Sequence, residues 1–125
     1  MHYLDMLLNL VKEKYEYEKA TWSERATHVP YIEDFQNEFE EVKEEITKHN
    51  TVFLEDELGD MLWDLLNTIY CLEQEGYITD HQNVFKRSYE KFRERIDDKY
   101  AGIERSETKA RQKQRRLDEH NQKHG

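Results

Sequence analysis

The stretches NEFEEVKEEI (residues 37–46) and LEDELGDMLWDLL (residues 54–66) decide the fold and suggest the chemistry. Each sets two carboxylates three residues apart: Glu38 and Glu41 in the first, Glu57 and Asp60 in the second. On an α-helix such residues project from one face. Beside them run apolar residues at helical spacing. The first stretch belongs to a stripe of Phe35, Phe39, Val42 and Ile46, the second to one of Leu54, Leu58, Leu62, Leu65, Ile69 and Leu72. Two such helices packed side by side bring four carboxylates to one spot. Like charges gathered in a folded core repel one another unless a cation neutralises them. Oxygen-only ligation suits a hard divalent ion such as Mg²⁺, which completes its shell with water and substrate phosphates. The pattern points to phosphate chemistry on an all-α scaffold.

Working outward, four helices and a tail account for the chain. The first helix is expected over about residues 3–19, with Leu4, Leu7, Leu8, Val11 and Tyr15 as its apolar stripe. A connection follows, and Pro30, the only proline, fits the entry to a second helix over about 31–48. His49, Asn50 and Thr51 signal a turn. The third helix spans about 52–75 and stops at Gly76, a usual place for glycine. The fourth runs from about 80 to 100, with Val84, Phe85, Tyr89, Phe92 and Ile96 as its apolar set. Beyond Gly102 only Ile103 and Leu117 are sizeable aliphatics. The expected organisation is one all-α domain over 1–102. A charged tail follows over 103–125, as an exposed helix, a frayed end or a segment ordered by substrate.

Helix three carries a second apolar band, Gly59, Trp63, Leu66 and Tyr70, beside the first. A helix apolar over so wide an arc is covered on more than one side. Only 36% of the 125 residues are hydrophobic and 38% are charged. A second subunit is then an economical source of cover, and a homodimer or homotetramer is expected.

Charge excludes some classes and favours others. The net charge is −9; residues 1–85 hold 20 of the 28 acids and 6 of the 19 bases, whereas residues 86–125 hold the remaining 8 acids and 13 bases. An acidic body argues against nucleic acid as the main ligand. An acidic centre beside a basic C-terminal third suits a metal site next to something that holds phosphates. The single Cys71 lies in an apolar pattern and offers neither a disulfide framework nor a low-pKa nucleophile. No stretch nears the roughly 20 apolar residues of a membrane span, and a cytoplasmic location is expected. Glu-x-x-His pairs, H-E-x-x-H, P-loop, dinucleotide and EF-hand signatures are all missing. The plain alternative for E-x-x-E is a solvated acidic face. Under that reading the chain is a catalytically silent helical interaction protein.

Taken together, NEFEEV, LEDELGDMLWDLLNTIY and SYEKFRER resemble the MazG-like all-α nucleoside triphosphate pyrophosphohydrolases. That family is marked by E-E-x-x-E followed by E-x-x-D, commonly as ELGD. TWSERATH (residues 21–28) is similar to a Trp-containing run before the first acidic helix. The resemblance spans about residues 22–95. It implies Mg²⁺-dependent cleavage, with Mn²⁺ as an alternative ion, between the α- and β-phosphates of a (d)NTP. The products are a (d)NMP and pyrophosphate, in house-cleaning of non-canonical or surplus nucleotides or in a narrower dCTP- or dUTP-directed role. By the family pattern Glu38, Glu41, Glu57 and Asp60 are the metal ligands, and Glu41 or Glu38 also handles the attacking water. Lys91 and Arg95, in EKF-x-x-R, grip phosphate oxygens. Trp22 and His28 are candidates for the base; Trp63 fits core or interface better. Two positions depart from the pattern: Asn37 stands for the first Glu of E-E-x-x-E, and Tyr89 for an Asn two places before the basic Lys.

Overall fold

The computed structural model describes residues 2–124, and the elements found among them are helical. The α-helices are α1 (Tyr3–Thr21), α2 (Val29–Lys48), α3 (Thr51–Gln74), α4 (His81–Tyr100) and α5 (Arg105–His124), with a single 3₁₀ turn at Ser23–Arg25. The all-α expectation holds, and the boundaries of the first four helices fall within two residues of those read from periodicity. The segment after Gly102, for which three states were open, is a fifth α-helix. No helix of the described residues is long and apolar enough to cross a membrane.

The helix ends have local causes. Pro30 occupies the first turn of α2, where its missing N–H costs nothing. α2 ends with His49 in the left-handed conformation, φ 56°. The side chain of Asn50 then caps α3 by accepting a bond from the Phe53 N–H at 3.2 Å. α3 closes at Gly76, φ 89°. There the Gly76 and Tyr77 N–H groups return to the carbonyls of Glu73 and Leu72 at 3.1 and 2.9 Å. That paired geometry requires a left-handed residue, which glycine adopts without a Cβ penalty.

The chain forms two compact units, one ending at His81 and the other beginning at Gln82. In the first, the core is a seam between α1 and α3. Val11 and Tyr15 are buried from α1; Leu66, Tyr70 and Cys71 are buried from α3. The Tyr15 and Tyr70 rings stack at 5.4 Å, and the His81 ring continues the stack on Tyr70 at 6.0 Å. The second apolar band of α3 is thus the one this chain covers for itself. α2 lies along α3 but buries no residue completely. Burial also pushes the Cys71 thiol up to about 11, the opposite of an activated nucleophile.

The second unit is a helical hairpin of α4 and α5, held mainly by polar side chains. Gln112 is 4% exposed and makes three bonds. It accepts from Arg95 Nε at 2.8 Å and donates to the Lys91 carbonyl at 3.0 Å and to Glu94 Oε1 at 2.8 Å. Thr108, also buried, donates to Asp98 at 2.7 Å, and Asp98 further accepts from Arg111. Arg115 pairs with Glu94 at 2.9 Å and Arg87 with Glu119 at 2.6 Å. Replacing Gln112 with Leu keeps the volume while stripping all three bonds. It is expected to cost about 1–3 kcal/mol, read as a lower urea midpoint with the same slope; an unchanged midpoint would refute the role given to Gln112.

Candidate functional site

The turn between α2 and α3 sets the site. Only His49 and Asn50 separate the two helices, so α3 folds back along α2 as a helical hairpin. Glu41 lies eight residues before His49 and Glu57 seven after Asn50. At 1.5 Å per residue both stand about 11 Å from the turn. The same count puts Asp34 and Asp64 level with each other, about 22 Å from the turn. The two acidic columns are therefore matched in register by the length of the connection.

The side chains follow that register. Carboxylate oxygens of Glu38, Glu41 and Glu57 lie within 4.8 Å of one another, and so do those of Asp56, Glu57 and Asp60. The four residues singled out from sequence are gathered as two triads sharing Glu57. Asp56 joins them, a residue the i, i+3 pattern does not select. Glu38 and Glu57 are half-buried, while Glu41, Asp56 and Asp60 are exposed. Glu38 Oε2 and Glu57 Oε2 are buried with no donor facing them. The groups beside them are other carboxylates, which bond only by sharing a proton. Cations of α2 go elsewhere: Lys43 pairs with Glu40 at 3.4 Å and Lys48 with Glu45 at 3.5 Å.

Electrostatics records the crowding. Burial pushes the Glu38 carboxyl up to about 8, aided by its contacts with Glu41 and Glu57 and by the charges of Glu41 and Asp60. The bond with Glu38 lowers Glu57, but Glu41, burial and Asp60 outweigh it and hold Glu57 above the ordinary range. Asp60 is raised by burial, then by the Asp56 and Glu41 charges. Further along the column, Asp64 is 6% exposed, and burial with the Asp34 and Asp60 charges raises it to about 6. Its spacing of seven from Glu57 and four from Asp60 puts it on the same face of α3.

The other candidates are placed as follows. Lys91 and Arg95 belong to α4 in the second unit, where Arg95 Nε is held by Gln112. Trp22 is 53% exposed, with the Arg25 guanidinium 3.9 Å over its ring. His28 stands at the entry to α2, and its Nδ1 and backbone N–H both engage Glu75, at 2.8 and 3.1 Å. Its ring meets Tyr77 edge-on at 5.8 Å, so His28 ties the start of α2 to the end of α3. Trp63 is half-buried, with Lys14 Nζ 5.8 Å from its ring.

An all-carboxylate donor set with two orphaned buried oxygens fits a hard divalent cation. Without metal, the folded state keeps a proton on the Glu38 group up to about pH 8, whereas glutamate in the unfolded chain releases it near 4.5. Between those values the folded state binds more protons, so stability falls as pH rises. In EDTA, the Tm of the wild type is expected to drop from about pH 5 to about pH 8 more steeply than that of Glu38→Gln. Saturating Mg²⁺ should flatten the wild-type slope. Identical slopes with and without the ion would contradict this account.

The family model described as the MazG nucleotide pyrophosphohydrolase domain matches residues 24–99, more than half of the chain. That span takes in α2, α3 and nearly all of α4, and leaves out α1 and α5. No curated protein and no solved structure matches the chain.

Proposed function

This chain belongs to the MazG nucleotide pyrophosphohydrolase family, and from that premise we propose that it hydrolyses (d)NTPs between the α- and β-phosphates, with Mg²⁺ or Mn²⁺, to (d)NMP and pyrophosphate. The observation that carries the reading is the meeting of the Glu38, Glu41 and Glu57 carboxylates, with Glu38 Oε2 and Glu57 Oε2 buried and without a donor. A cluster kept at the cost of such repulsion makes sense as a receiver of positive charge. House-cleaning of non-canonical or surplus nucleotides in the cytoplasm is the proposed role.

Glu38, Glu41, Glu57 and Asp60 would hold the ion, with Asp56 beside them. When bound, the ion supplies charge screening for the phosphates and for the departing pyrophosphate. Glu41 is the exposed member of its triad, so we assign it to orient the attacking water and accept its proton, with Glu38 as the alternative base. Lys91 and Arg95 are assigned to phosphate oxygens. Trp22, whose ring is half-exposed, and His28 are assigned to the base. In a pyrophosphate-release assay over canonical and modified (d)NTPs, Glu41→Gln is expected to lower kcat by about 10²–10⁴, with Asp60→Ala equally impaired. Release of orthophosphate in place of pyrophosphate, or activity undiminished in both variants, would overturn the assignment.

The same reading includes self-association. Leu58, Leu62 and Leu65 line one side of α3 and are 48%, 38% and 42% exposed. Phe39 and Ile46 of α2 are exposed by 47% and 54%. A stripe of this kind on both members of a helix pair suits a second copy. Sedimentation of the wild type is expected to give a dimer or tetramer, and Leu62→Asp to shift it towards monomer. A monomeric wild type at micromolar concentration would refute the oligomer.

A further inference from the structure

The α4–α5 hairpin sorts its charges by edge. At 100° per residue, and measured from Gln112, Arg111 and Arg115 lie to one side of α5 (about −100° and −60°) while Lys109 and Arg116 lie to the other (about +60° and +40°). On α4, measured from Lys91, Glu94 and Asp98 fall on the first side, and Arg95 falls about 40° to the second. In antiparallel helices, side chains displaced in the same sense meet along one edge. The first edge is closed by opposite charges: Arg111 reaches Asp98, and Arg111 and Arg115 reach Glu94 at 3.4 and 2.9 Å. Along the second edge stand Lys91, Arg95, Lys109 and Arg116, none of which pairs with a carboxylate among the described residues.

Gln112 welds this edge together. Its carbonyl oxygen takes Arg95 Nε and its amide reaches the Lys91 carbonyl. The two terminal nitrogens of Arg95 and the Lys91 ammonium have no carboxylate partner there and lie near the Phe92 ring, whose centroid is 5.4 Å from the Arg95 guanidinium carbon and 5.7 Å from Lys91 Nζ. Lys91, Gln112 and Arg116 line a cleft of about 190 Å³ whose carboxylates are Glu94 and Glu119, both engaged by arginines, and Glu90; Arg95 lines a neighbouring cleft. The Lys91 ammonium is held below its ordinary value chiefly by Arg95, then by burial and by Arg116 and Lys109. The shift agrees with the grouping of these cations along one edge. α5 lies outside the matched family domain.

We propose that α5 extends the phosphate grip of this protein: Lys109 and Arg116, set beside Lys91 and Arg95 by Gln112, form an anion site for a polyphosphate chain. The shared chemistry is a row of phosphate oxygens met by ammonium and guanidinium donors. That the chain is the triphosphate of a nucleotide rests on the hydrolase reading above. Gln112 is a positioning residue in this arrangement, and Lys109 and Arg116 are binding residues.

The test uses the full chain and inorganic tripolyphosphate as probe, in EDTA at fixed low salt, with affinity read by calorimetry. The double variant Lys109→Ala/Arg116→Ala is expected to bind about tenfold more weakly and Lys109→Ala alone about threefold, whereas Lys86→Ala, which like Lys109→Ala removes one cation but elsewhere on the hairpin, should stay within about 1.5-fold. Both variants should keep the wild-type Tm; if the double variant does not, the exposed single site Lys109→Ala carries the comparison. With nucleotide and Mg²⁺, KM should rise in the double variant while kcat holds. Tripolyphosphate affinity and KM that both ignore Lys109 and Arg116 would overturn the proposal even if the protein hydrolyses nucleotides. Conversely, edge-dependent tripolyphosphate binding in a protein that cleaves no nucleotide would support the anion site and sink the hydrolase reading. Loss of single-stranded RNA retention in the double variant, with tripolyphosphate binding intact, would overturn the proposal in favour of nucleic acid.

Discussion

Mutual repulsion of carboxylates across the α2–α3 pair is the constraint on which the site turns. Glu38, Glu41 and Glu57 meet where the two helices touch, and two of their oxygens are withdrawn from water without a donor. Several ordinary exits are closed. The lysines on α2 pair with Glu40 and Glu45, on other parts of the helix. The two-residue connection fixes the register, so neither helix slides to relieve the contact. What remains is a proton shared among the acids, which is the metal-free state described by the high Glu38 value, or a divalent cation. A helix pair selected for stability alone would replace such acids with apolar side chains. Their presence is the physical argument for function.

The rest of the first unit supports that contact while leaving it accessible. Its apolar core is small: Val11 and Tyr15 against Leu66, Tyr70 and Cys71, extended by the Tyr15–Tyr70–His81 stack. This seam lies on the α1 side of α3. α2 is held by half-buried contacts, by the hairpin turn, and by the bonds from Thr27 and His28 to Glu75. Leu58, Leu62 and Leu65 stay exposed on α3. They mark where additional cover would act directly on the carboxylate-bearing helix.

Legibility in the sequence followed the kind of interaction involved. Where apolar spacing and a local stop signal coincide, as at Pro30, Asn50 and Gly76, the helices and their ends are readable, because both signals are short-range. The pairing of Glu38 and Glu41 with Glu57 is readable for the same reason: two i, i+3 pairs about equally far from one turn must lie side by side. The division into two overlapping triads is not, since it depends on rotamers, and Asp56 enters only because its neighbour Glu57 is shared. The ordering of α5 was also hidden. Its seat on α4 is made by Gln112, Thr108 and Arg–carboxylate pairs, and polar contacts leave no periodic trace in hydropathy. Of the departures from the family pattern, Asn37 and Tyr89 are both exposed, and neither takes a ligand position from the carboxylate cluster.

The central claim is that the carboxylates between α2 and α3 exchange a shared proton for a divalent cation. Calorimetric titration of the metal-free protein with Mg²⁺ at about pH 7, in two buffers of different ionisation enthalpy, measures the ion and the proton together. The account predicts saturable binding whose heat depends on the buffer, corresponding to roughly one proton released per ion, and predicts that Glu38→Gln removes the buffer dependence. No saturable binding, or binding with identical heats in both buffers, would contradict it.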